Sequence, residues 1–137
     1  MKTIVVGYDA TEAAKRALER VTALAQAFDS KVIVTSVAPV LAHAARSVGA
    51  VDPADPPELH QQELDEARAF LEEHGIEADY QLALGEPAGS IVEVAESVGA
   101  DLIVVGTREP NFVQRLLGQS VSEGVSHRAH CDVLIVH

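Results

Sequence analysis

Asp101-Leu102-Ile103-Val104-Val105-Gly106, then Ser120-Val121-Ser122-Glu123, then Asp132-Val133-Leu134-Ile135-Val136 is the stretch that decides the fold. Two short β-branched runs flank a helical pattern, and the first run stops on a glycine. Strand, loop, helix and strand in that order predict a right-handed crossover, with the loop opening on Gly106 and the helix starting near Ser120. Such a unit sets the loop and the helix N-terminus side by side at the carboxyl end of a parallel sheet, where ligands of α/β proteins bind. The first turn of a helix has unpaired N–H groups and a partial positive charge, so Ser120, Val121 and Ser122 can hold a phosphate without a basic side chain.

The same reading extends toward the N-terminus. Thr3 to Tyr8 predicts a first strand, after which Asp9 or Thr11 can cap a helix whose inward face is Ala14, Leu18, Val21, Ala25 and Phe28. Lys31 to Val37 reads as a buried parallel strand ended by Pro39. Val40 to Pro57 loses the pattern and reads as a loop or short irregular helix. A second helix follows with Leu64, Ala67, Leu71 and His74 inward, and Gly75 stops it. Ala78 to Leu84 is a third strand. Gly85 to Gly89 is expected to turn the chain into a helix over Ser90 to Val98, with Ile91, Val94, Ala95 and Val98 inward and Gly99 as its end. Five strands with intervening helices predict one α/β domain over residues 1–137, a three-layer doubly wound sandwich of Rossmann-like type.

Composition narrows the function. At 137 residues and 47% hydrophobic content the chain suits one core, and its apolar runs are strand length, too short to span a bilayer. Met1-Lys2-Thr3 leads straight into a strand, and Cys131 is the only cysteine, so a reducing cytoplasm is the expected location. Ten basic against 21 acidic residues give a net charge of -11, and only three of the bases are lysine. That surface repels nucleic acid, whose binding relies on cationic side chains.

Four segments together resemble the universal stress proteins: Lys2-Thr-Ile-Val-Val-Gly-Tyr-Asp9; Ser36-Val37; Gly85-Glu-Pro87 with Ile91, Ala95 and Asp101 to Gly106; and Ser120 to Glu123 with Cys131 to Val136. The resemblance covers nearly the whole chain. It implies strand order 3-2-1-4-5, with the switch point between strands 1 and 4 placing Asp9 beside Gly106. It also implies a homodimer through the C-terminal edge strand, Val133 to Val136, and an adenine nucleotide as ligand: AMP, ATP or cyclic AMP, with Mg if ATP. By the same resemblance Asp9 takes the nucleoside, Gly7 and Tyr8 touch it through the backbone, and Val37 and Val105 either contact the base or are plain core; Gly106 lets the backbone pass close to the ligand, Ser120, Val121 and Ser122 meet the phosphate, and Arg108, which flanks the loop, can pair with it.

The family's nucleotide loop runs G, two residues, G, nine residues, G and then Ser or Thr. Gly106 and Ser120 match its ends. Glu109 and Gln119 stand where the two inner glycines belong, with Gly118 displaced by one. A carboxylate ~4 Å from a phosphate repels it by about 4 kcal/mol at an effective dielectric near 20. Adenine and ribose contacts are therefore expected to outlast γ-phosphate contacts. A nucleotide-free dimeric interaction protein is the alternative.

Other chemistry has less support in the sequence. His127, His130 and Cys131 can each ligate zinc, but no fourth ligand accompanies them, so no metal site is expected. Ser120 lacks the glycine pattern of a nucleophile elbow, and no catalytic residue is assigned. Arg115 flanks the loop as Arg108 does. His43, His60 and His74 are scattered, and Glu63, Asp65, Glu66, Glu72 and Glu73 read as a solvated helix face.

Overall fold

The computed structural model describes residues 1–39, 56–107 and 121–137. Five strands lie parallel in one sheet: β1 (Thr3–Gly7), β2 (Lys31–Ala38), β3 (Ala78–Leu84), β4 (Leu102–Gly106) and β5 (Asp132–Val136), in the order β3-β2-β1-β4-β5. The expected order and its switch point between β1 and β4 are both present. Register runs through Ile4, which stands beside Val32 on one side and Leu102 on the other, and Gly7 stands beside Thr35.

Helices cover both faces because the strands are apolar on both. Helix α1 (Glu12–Phe28) and helix α2 (Pro57–Glu73) close one face over Ile4, Val6, Val32, Val34 and Val104. Helix α3 (Pro87–Val98) and helix α4 (Val121–Arg128) close the other over Val5, Ile33, Ile103 and Val105. Alternate residues of each strand thus feed opposite cores, and each fully buried valine, leucine or isoleucine contributes about 1.5–3 kcal/mol.

Thr11, not Asp9, is the N-cap of α1: its hydroxyl accepts from the Ala14 N–H at 3.2 Å. Phe28 is 54% exposed, against expectation. It is the last residue of α1, next to the left-handed turn at Asp29 that returns the chain to β2, so the helix ends as the sheet ends beneath it. His74 is exposed as well. It follows the last residue of α2, where Gly75 and Ile76 donate back to Glu72 and Leu71, and its ring stacks on Phe70 at 4.3 Å. Helix α3 starts three residues before the expected Ser90, because Pro87 fits a first helical turn and the Glu86 carboxylate caps the Gly89 N–H at 2.7 Å. Gly99 ends α3 in the left-handed conformation, as expected.

Candidate functional site: a cavity at the switch point

Where β1, β2 and β4 end, the chain leaves β1 for α1 on one face and β4 for the opposite face, so a crevice opens between them. It is a cavity of about 270 Å³. Its floor is Gly7, Tyr8, Thr35, Ser36, Val37, Val105 and Gly106. Asp9, Ala14 and His60 form one side, Pro87, Ile91 and Val121 the other, and Pro39 lies at its rim. Small-molecule pockets range over roughly 300–1,000 Å³, so the volume bounded by the described residues approaches that range.

Of the residues singled out in the sequence, Gly7, Tyr8, Asp9, Val37, Val105, Gly106 and Val121 line the cavity. Ser122 is buried but is not part of the wall. Arg108 and Ser120 lie outside the described residues, as do Glu109, Arg115, Gly118 and Gln119.

Asp9 is held by the start of α1. Its Oδ1 accepts from the Thr11 hydroxyl at 2.6 Å and from the Thr11 N–H at 3.1 Å. Between them Ala10 sits at φ 60°, a left-handed conformation that costs a non-glycine residue about 1–2 kcal/mol. Strain of this kind persists where surrounding structure imposes it, and here it sets the direction of Asp9. Gly106 has a role the sequence did not reveal. A Cβ there would lie 2.5 Å from the Ala13 carbonyl carbon and 2.8 Å from the Ala14 nitrogen. The backbone that passes Gly106 so closely is therefore that of α1. At Gly7 a Cβ would meet the Ile91 Cδ1 at 2.9 Å, so the bare backbone leaves room for that side chain.

The wall formed by α2 holds a polar cluster that the sequence reading missed. Ser36 Oγ lies 3.0 Å from His60 Nδ1 and donates to Glu63 Oε2 at 3.0 Å, and His60 Nδ1 is itself 3.0 Å from Glu63 Oε2. A carboxylate only accepts, so the cluster is satisfied with Nδ1 protonated and both donors directed at Glu63. His60 is buried and lies one turn before Leu64 on the buried stripe of α2, and Glu63 is largely covered. Neither is part of a scattered or solvated set, as had been expected. The signal was present in the spacing: positions 60, 64, 67 and 71 continue one helical face.

Tyr8 is buried, and that burial first, then the carboxylates of Glu66, Glu63, Asp9 and Glu12, pushes its phenol up to about 12. The α1 and α2 side of the cavity is thus electronegative. At the opposite side Val121 is the first residue of α4, whose N-terminal dipole favours an anion. Across α3, desolvation raises the Glu86 carboxyl, but the Gly89 N–H and the Arg128 guanidinium outweigh it and hold the group below the usual carboxylate range. His130 Nδ1 lies 2.8 Å from Glu96, and burial raises the Cys131 thiol. Among the described residues no three His, Cys, Asp or Glu side chains converge as metal ligands, and no helix is long and apolar enough to cross a membrane.

The sequence profile of the universal stress protein family matches residues 1–137. The chain belongs to the universal stress protein family. A universal stress protein of Methanocaldococcus jannaschii is 33% identical over 98% of this chain and 81% of its own length. The crystal structure of a universal stress protein in complex with cAMP is 30% identical, covers 99% of this chain and 97% of that one, and superposes with a TM-score of 0.75. A family member from Archaeoglobus fulgidus, solved with dAMP, has a TM-score of 0.77 at 24% identity over 100% of this chain and 98% of its own, a likeness of fold. Family membership agrees with the motifs read from the sequence and with the observed strand order.

Proposed function

We propose that this protein binds an adenine nucleotide in the switch-point cavity and serves as a sensor or reservoir in stress response, not as an enzyme. The observation that carries the reading is the convergence of Gly7, Tyr8, Asp9, Val37, Val105, Gly106 and Val121 on one cavity with an electronegative side and a helix N-terminus facing it. A nucleotide has a flat apolar base, a ribose rich in hydroxyls and an anionic end. Val37, Val105 and Ile91 suit the base, and the carboxylate of Asp9 suits hydroxyl or amine donors. Charge directs the phosphate away from Glu63, Glu66 and Asp9 and toward the N-terminus of α4, with Val121 and Ser122 as proposed partners; Arg108 and Ser120, outside the described residues, are proposed with them. If the ligand is ATP, Mg would accompany its phosphates. The cAMP complex of the 30% identical relative supports an adenine ligand.

The geometry of the Ser36 cluster supports a binding role over hydrolysis. Serine and glutamate meet the imidazole at the same nitrogen, whereas a relay needs the two ring nitrogens to face base and orienter separately. A homodimer along β5 in the cytoplasm belongs to the same proposal: among the described residues β5 has one strand neighbour, β4, and Val133, Leu134 and Ile135 are only partly covered.

Calorimetric titration with ATP, AMP and cyclic AMP, after the nucleotide content of the purified protein has been checked, tests this reading. Binding that Asp9→Ala weakens at least ten-fold, about 1.4 kcal/mol, is the expected result. No binding and no co-purified nucleotide would overturn it in favour of a nucleotide-free dimeric interaction protein.

A further inference from the structure

Thr35 and Ser36 are consecutive buried hydroxyls on β2, and both line the cavity. Ser36 is fully engaged with His60 and Glu63. The Thr35 hydroxyl, on a residue 0% exposed, has no hydrogen-bond partner among the described residues. Buried polar groups are nearly always paired, so a hydroxyl left unpaired at a cavity wall is a group that folding alone does not explain. Among the described residues only the Tyr80 hydroxyl shares this condition, far along the chain on the edge strand β3.

We propose that Thr35 is a specificity-determining residue whose hydroxyl hydrogen-bonds the edge of the ligand's base; the inference rests on the nucleotide reading above. Thr35 stands beside Gly7 in the register, on the strand face that also presents Ile33 and Val37 to α3. Gly7 is its neighbour on β1, and Ile91 and Val105, which crowd the Cα of Gly7, line the same cavity. An anionic phosphate would be costly in so apolar a place, whereas a neutral ring with one polar edge matches it. A hydroxyl both donates and accepts, so it can meet an exocyclic amine or a ring nitrogen of adenine. Serving a ligand also explains why the position is threonine and not the isosteric valine that the core would favour. Sites kept for binding commonly forgo stability in this way.

The test compares Thr35→Val, which keeps the shape and removes the hydroxyl, with Thr35→Ser, which keeps the hydroxyl and removes a methyl. Each is titrated with AMP and cyclic AMP, and with ribose 5-phosphate as a ligand that lacks the base. Thr35→Val should weaken nucleotide binding about ten-fold, Thr35→Ser should stay within about two-fold of wild type, and ribose 5-phosphate should be indifferent to either change. Without ligand, Thr35→Val should raise Tm by about 3 °C, because an unpaired buried hydroxyl has been removed. Thr35→Val binding like wild type would overturn the proposal while leaving the nucleotide reading intact. A drop in the ligand-free Tm of Thr35→Val would also overturn it, by showing that the hydroxyl is held within the fold, for example by a buried water. A wild type that binds no nucleotide would fail both, and is told apart by the first titration.

Discussion

The two walls of the cavity differ in how their polar groups are settled. On the α2 side Ser36, His60 and Glu63 satisfy one another within 3.0 Å. On the α3 side the Thr35 hydroxyl has no partner among the described residues, and Ile91, Pro87 and Val105, which line the same cavity, are apolar. Both hydroxyls come from neighbouring residues of one strand, separated only by the alternation that sends successive side chains to opposite faces. The difference teaches that the first wall is satisfied within the fold, whereas the second is, on the proposed reading, completed by a ligand.

The largest test of that contrast removes the spacing on which both walls depend. Gly106→Ala drives a Cβ into the backbone of Ala13 and Ala14, which cannot swing aside as a side chain can. We expect a loss of about 3 kcal/mol or more in urea unfolding, together with weaker nucleotide binding as α1 and Asp9 shift. A loss below about 1 kcal/mol would show that the helix yields easily and that the cavity is not set by this contact.

Glu63→Ala strikes the finished wall alone. It leaves the Ser36 hydroxyl and the His60 N–H to share a single contact, and should lower stability by about 2 kcal/mol. A solvated glutamate would register less than about 0.5 kcal/mol, so the urea midpoint at constant m separates the two descriptions.

The smallest effect sharpens the α3 side. Glu86 caps α3 and pairs with Arg128 of α4, and its carboxyl is depressed in the folded protein. A depressed carboxylate contributes stability that is present above its unfolded pKa, about 4.3, and is lost as pH falls through the folded value. Glu86→Gln should therefore cost stability at pH 7, by less than about 1 kcal/mol because the pair is half exposed. The gap between variant and wild type should close on acidification below about pH 4. An unchanged gap at pH 3 would mean that the contribution is not ionic.

Much of this was legible in the chain. The β-branched runs stopped by Gly7 and Gly106, and the helices ended by Gly75 and Gly99, each have a local cause: side-chain period, capping, or left-handed backbone. Strand positions were accordingly placed to within about a residue. Helix ends and faces were less secure. Phe28 and His74 continue the helical period, yet the period does not say where the sheet beneath runs out. Glu63 carries a charge that normally seeks water, and only the approach of Ser36, 27 residues earlier, gives it a reason to be covered.

What the sequence determined by itself was the set of parallel strands, the covering of both faces, and the residues Asp9, Val37 and Gly106 at strand ends, because periodicity and turn chemistry act over a few residues. Tertiary structure alone decided that Gly106 makes room for the backbone of α1, that His60, held by Glu63, closes one wall, and that Thr35 is left without a partner among the described residues. Those properties depend on distances between segments remote along the chain, and hydrogen-bond satisfaction is a property of such distances, not of residue type.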